Sequence, residues 1–159
     1  MKLRRRAKLA DQYAPVGGGR TVPYEESRAI VRDAFGRFSP QIEELTERFF
    51  DERRVDAEPR NGKRGGVFCA SVAQDAQPYI LLNYTERLRD VMTMAHELGH
   101  GMHFALSARS QTALSFHTGI ALAEVPSTFA ELVVFNRLME IEKDPDVRAT
   151  LARGEVESG

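Results

Sequence analysis

Two histidines four residues apart, in Ala95-His96-Glu97-Leu98-Gly99-His100, constrain this chain more than any other feature. On an α-helix such a pair falls on one face, one turn apart, so both imidazoles can reach a single zinc ion. Glu97, next to the first histidine, can then hold a water on that ion. A catalytic zinc takes three protein ligands and keeps one position for water. The fold must therefore carry a third side chain across to this helix.

A third histidine ten residues beyond the first, after a glycine that turns the helix, is one known solution. Here the tenth position after His96 is Leu106 and the would-be glycine is His103, so that solution fails. The other solution is a glutamate from a second helix packed across the first. Glu124 lies 24 residues after His100, enough to finish one helix, turn and bring a carboxylate back. Glu131, seven residues on and on the same helical face, is its rival. Glu124 is expected to touch the metal, and Glu131 to sit just behind it or in a salt bridge. Histidines outside a ligand pair are usually packed or solvated, which is the reading for His103 and His117. His103 could reach the cleft rim, and His117 could approach a substrate.

The surrounding pattern is mostly helical. Residues 2–13 can form a short basic helix, broken by Pro15 and Gly17-Gly18-Gly19. That glycine run has no phosphate-cradle spacing. Tyr24 to Phe38 reads as a helix with Ile30, Ala34 and Phe38 in register. Ser39 and Pro40 open a second, about 40–54, burying Ile42, Leu45, Phe49 and Phe50. After a polar stretch at 55–64, Gly66–Val72 and Tyr79–Asn83 read as adjacent short strands. Thr85 is expected to cap a helix over 86–107, with Leu88, Val91, Met92, Ala95, Leu98, Met102 and Leu106 facing the core. His96, His100 and His103 then form a stripe at its edge, where a cleft wall would be. Residues 107–118 lack periodicity. A last long helix to about Lys143 offers Val125, Phe129, Leu132, Val133 and Leu138 for packing, with Pro126 near its start. The tail to Gly159 reads as a weak polar helix. The fold class is mainly α with a small β-sheet, an active-site helix crossed by a glutamate-bearing one. The whole chain, 1–159, reads as one domain: a basic helix and loop at 1–23, a core at 24–143 and a tail at 144–159.

Composition removes other classes. At 159 residues the chain suits one ordinary domain. Its formal charge of −1 gives no reason to expect nucleic acid or an anionic membrane as partner. No apolar run approaches bilayer length. The single cysteine, Cys69, excludes an internal disulfide and fits a reducing, cytoplasmic setting. In an apolar strand it is expected to be a small core residue. Five Lys or Arg among the first eight residues, with no apolar stretch after them, are expected to be a solvated helix end rather than a secretory signal.

Taken together, Ala95-His-Glu-Leu-Gly-His-Gly-Met-His103 and Ala123-Glu-Val-Pro-Ser-Thr-Phe-Ala-Glu131 resemble the core of oligoendopeptidase F, in the thimet-oligopeptidase group of zinc metallopeptidases. Gly62-Lys-Arg-Gly-Gly-Val-Phe-Cys69 resembles the strand before that core, and Tyr13-Ala-Pro15 the segment before its first helices. The resemblance implies a zincin-like (gluzincin) core that binds one zinc per chain through His96, His100 and Glu124. It implies that Glu97 activates the zinc-bound water to hydrolyse peptide bonds of short peptides. It also implies that Gly65, Gly66, Val67, Phe68 and Cys69, in the Gly65–Ser71 strand, pair with an extended peptide substrate.

Full members are several times longer, and their later helices carry a tyrosine and a histidine thought to stabilise the oxyanion. No matching segment follows Lys143, so the chain is expected to be a catalytic core that binds zinc with weak or undetectable activity. Loss of one such donor typically costs about 10²–10³ in turnover. Apolar faces such as Phe129, Val133 and Phe135 are expected to be left exposed and to drive self-association. The alternative function is a catalytically silent zinc-binding fragment serving as a structural or interaction module.

Overall fold

The computed structural model describes residues 20–158. The expected basic helix at 2–13, the glycine run and Tyr13-Ala-Pro15 lie outside the described residues. Five helices and three short strands follow in order: α1 Tyr24–Phe38, α2 Pro40–Asp51, β1 Val55–Asp56, β2 Phe68–Ala70, β3 Tyr79–Leu81, α3 Leu88–Ser110, α4 Ile120–Ile141 and α5 Pro145–Ser158.

α1 has the limits its periodicity predicts. Its buried stripe is Ser27, Ile30, Val31, Ala34 and Phe35, while Phe38 sits outside the core against Phe129, ring centroids 5.0 Å apart. Ser39 stands at the N-cap of α2 in extended conformation and Pro40 occupies the first turn, where a missing amide costs nothing. α2 ends three residues earlier than expected, because Arg53 turns into the left-handed region at φ 52°.

β1 is absent from the sequence reading; two residues carry no periodicity to detect. It pairs parallel with β3, and β2 pairs antiparallel on the other side, so the sheet order is β1-β3-β2 and β2 is an edge. The strand before the histidine helix is thus shorter than expected, with Gly65–Val67 in the turn that feeds it. Two side chains fix that turn. The Lys63 ammonium, its side chain 2% exposed, donates to the Asp56 carbonyl and carboxylate at 3.0 Å and to Glu58 O at 2.9 Å. Asn83 Nδ2 donates to Arg64 O at 3.1 Å and Gly66 O at 2.7 Å.

α3 runs through the centre. Its start differs from the expectation: Thr85 does not cap it. The Asp90 carboxylate reaches back and accepts from the backbone N–H groups of Arg87 (3.1 Å) and Thr85 (2.7 Å) and from the Thr85 hydroxyl (2.9 Å). Leu88, Val91, Met94, Ala95, Leu98 and Met102 are buried, while Leu106 is turned outward. Two glycines of α3 permit close neighbours. A Cβ on Gly101 would meet the Phe49 ring of α2 at 2.6 Å. One on Gly99 would meet Pro126 O and Ser127 Cα of α4, each at 2.6 Å.

α4 departs most from the expectation. It begins six residues before Pro126, which lies inside it, and its buried positions are Ser127, Ala130, Val134 and Leu138. Val125, Phe129 and Leu132, expected to pack, are 62%, 44% and 45% exposed, and Leu122 is exposed with them. Val133 and Phe135 instead pack partly against the core. The reason is local: Gly99 admits only a thin ridge, and Ser127 and Ala130 supply it. The tail helix α5 buries Val147 and Leu151.

Candidate metal centre

α3 presents His96 and His100 one turn apart, with ring centroids 4.7 Å from each other. α4 crosses at Gly99, between them, and so delivers Glu124 to the same point. His96 Nε2 lies 3.1 Å from His100 Nε2, and Glu124 Oε2 lies 3.4 Å from the first and 3.6 Å from the second. His96, His100 and Glu124 form a group able to hold one ion.

Whether zinc fits can be tested on these distances. With ligand bonds of about 2.1 Å, neighbouring ligand atoms of a tetrahedral zinc lie about 3.4 Å apart. The three separations fall around that value. Tautomers point the same way. Glu131 Oε1 lies 2.7 Å from His96 Nδ1, so that nitrogen donates to the carboxylate and Nε2 is left with its lone pair. The backbone of Ala123 lies beside His100 and acts to raise its pKa. His96 Nε2, His100 Nε2 and a carboxylate oxygen then face one another, a donor set that suits a divalent cation. The residues present fit the ion.

The two imidazoles are tuned oppositely. The Glu131 carboxylate, bonded to His96, raises that ring's pKa. Burial, then the neighbouring His96 charge, lowers that of His100. Glu97 points to the sheet side of α3 and is 5% exposed. Burial raises its pKa, His96 opposes the shift, and Glu124 adds to it. Its Oε2 is buried without a hydrogen-bond partner, a costly state for a carboxylate unless a reacting group completes it.

β2 lies beside this carboxylate. Ile80 N–H goes to Arg54 O at 2.8 Å on the β1 side, so the N–H and C=O of Cys69, its partner on β2, point away from it to the free edge. The backbone of Cys69 acts against the rise in the Glu97 pKa. Burial, then the nearby Glu97 charge, pushes the Cys69 thiol up to about 12.

Of the other candidates, His103 turns its Nε2 to Thr118 Oγ1 at 3.1 Å. His117 is exposed and stacks edge-on against Phe116, ring centroids 4.7 Å apart. Gly65 and Gly66 lie in the turn before β2, Gly66 at φ +88°, while Phe68 and Cys69 are in the strand. The sequence alone singles out neither Thr118 nor Ser127, whose hydroxyl lies beside Glu124. A serine three residues after a glutamate on a helix is the only signal for the second.

Residues 37–158 match the model of peptidase family M3. An oligoendopeptidase F homolog of Lactococcus lactis subsp. lactis is 30% identical over 145 residues, covering 91% of this chain and 24% of the relative. The group B oligopeptidase PepB of Streptococcus agalactiae is 28% identical over 151 residues, covering 91% and 25% respectively. A solved structure from Chlamydophila abortus, with a provisional peptidase assignment, superposes with a TM-score of 0.83 at 26% identity, over 94% of this chain and 25% of its own. The chain spans about a quarter of the length of the curated relatives it matches.

Proposed function

The chain belongs to peptidase family M3, and on that premise we propose that it is the zinc-binding catalytic core of a metalloendopeptidase acting on short peptides. A single observation carries the reading: two imidazole nitrogens and one carboxylate oxygen converge at 3.1, 3.4 and 3.6 Å. The crossing of the histidine helix by the glutamate helix is of the zincin-like (gluzincin) kind. His96, His100 and Glu124 would hold the zinc, which when bound supplies Lewis-acid polarisation of the peptide carbonyl and acidifies water.

The chain's own residues would do the rest. Glu97, kept proton-hungry by burial, accepts the proton of the attacking water at Oε2 and passes it to the departing amine. Glu131 holds His96 in the tautomer that leaves Nε2 free. The outward edge of β2, from the Gly65–Gly66 turn through Val67, Phe68 and Cys69, pairs with an extended substrate beside Glu97. His103, anchored on Thr118, lines the end of the same helix face.

Zinc content and cleavage of a quenched-fluorescent peptide, measured on one preparation, test the proposal. Stoichiometric zinc with cleavage that disappears in Glu97→Gln is the expected result. Equal cleavage by the native chain and Glu97→Gln refutes it, and zinc binding with no cleavage by either favours the silent zinc-binding module. The exposed stripe of Leu122, Val125, Phe129 and Leu132 supports self-association of the 159-residue chain. Light scattering over a concentration series checks this, and a constant monomer mass counts against it.

A further inference from the structure

Ser127 has no solvent exposure, yet carries a hydroxyl. It lies on the face of α4 that meets Gly99, where its Cα would sit 2.6 Å from an added Cβ. Its Oγ is 2.9 Å from Glu124 O and 2.8 Å from Glu124 Oε2. The hydroxyl has one proton for these two acceptors. Glu124 O, inside α4, already has the helical amide four residues on as its partner. The carboxylate is the stronger acceptor, so the proton goes to Oε2.

That oxygen is the one facing both His Nε2 atoms. Glu124 needs such a restraint: its side chain is 48% exposed, against 28% for His96 and 15% for His100. A half-exposed glutamate, with three rotatable bonds, has no packing to hold its carboxylate in one place. A carboxylate oxygen accepts at more than one site, so Oε2 can take the Ser127 proton and still face the imidazoles. Ser127 in turn cannot wander, because the Gly99 crossing locks its backbone.

We propose that Ser127 is a positioning residue that aims Glu124 Oε2 at the metal site through its buried hydroxyl. The inference rests on the metal-binding reading above. Ser127→Ala removes the hydroxyl without adding bulk and suits a helix interior, so the metal-free chain folds. The expected result is a zinc Kd raised about tenfold or more. The cobalt(II) absorption of the loaded chain shifts, and the metal-free melting temperature stays equal or rises. Ser127→Cys, which keeps the volume and a weak donor, falls between the two.

Zinc affinity in Ser127→Ala within twofold of native, with the same cobalt spectrum, overturns the inference and leaves the metal site standing. Weaker zinc binding accompanied by a matching loss of metal-free stability also overturns it, because Ser127 would then serve the fold and not the ligand. A native chain that takes up neither zinc nor cobalt overturns the metal reading and this inference with it.

Discussion

Replacing Gly99 by alanine tests the helix crossing on which the site depends. The added Cβ would lie 2.6 Å from Pro126 O, 2.6 Å from Ser127 Cα and 3.0 Å from Ala130 Cβ. Carbon atoms settle at about 3.5–4.0 Å. The two nearest obstacles are backbone or bonded directly to it, so neither can swing aside, and α4 must retreat by about 1 Å. Overpacking of this kind costs about 1–3 kcal/mol. Alanine in place of glycine returns about 1 kcal/mol of helix propensity. The net loss is about 0–2 kcal/mol, or at most about 8 °C in melting temperature for a chain of this size.

The metal site is far less forgiving. Ligand distances tolerate about ±0.2 Å, so a 1 Å retreat of the helix carrying Glu124 removes one ligand from reach. Zinc affinity in Gly99→Ala is therefore expected to fall far more than stability, by tenfold at least. Gly101→Ala is the matched control. Its Cβ would meet the Phe49 ring at 2.6 Å, on the α2 side and away from Glu124. It should destabilise the chain and leave zinc affinity intact. Calorimetric zinc titration of both variants, beside their metal-free melts, separates the two effects. A Gly99→Ala variant that binds zinc as the native chain does would refute the argument.

Other expectations concern charge. Glu131→Gln keeps the shape but weakens the bond to His96 Nδ1, now 2.7 Å, and should raise the zinc Kd about 10–100-fold in the same titration. The raised His96 pKa makes its contribution to metal-free stability complete below the unfolded value near 6.5, and lost as pH rises through the higher folded value. Zinc needs the neutral ring, so its affinity should climb over that same window; denaturant melts and zinc titrations should show opposite slopes, and parallel slopes would disprove the assignment. Cys69, its thiol pushed up to about 12, should resist alkylation at pH 8 in the native chain and react promptly once unfolded, as mass spectrometry can follow.

The legible parts of the fold are those where one pattern spans several turns. α1 and α3 carry apolar residues at helical spacing over 15 and 23 residues, so their existence and most of their buried faces follow from sequence, while Phe38 and Leu106 at their ends turn outward. β1, two residues long, has no period, and its pairing depends on β3 some 25 residues later in the chain. Asp90 displaces Thr85 at the start of α3 because a carboxylate at the third helical position satisfies three donors at once. At the site, the spacing of His96, Glu97 and His100 and the interval to Glu124 are readable. The contribution of Ser127 is not, since it exists only after Gly99 fixes how closely the two helices cross.

The face of α4 is where pattern and structure part, and the disagreement is energetic. Fully burying a Val, Leu or Phe side chain gains about 1.5–3 kcal/mol. Val125, Phe129 and Leu132 remain about half exposed, which forgoes several kcal/mol that the opposite rotation of the helix would recover. The observed rotation instead buries a serine and directs two carboxylates at two imidazoles. For a metal-free helix pair that choice is unfavourable. Structural zinc in small metal-dependent domains contributes on the order of 10 kcal/mol, and a fraction of that at the proposed site would reverse the preference. On the proposed zinc reading the outward apolar stripe is the consequence of placing Glu124 and Glu131, and any surface that covers it adds to the same balance. The histidine spacing thus dictates more than the ligands: it decides which side of a neighbouring helix becomes core.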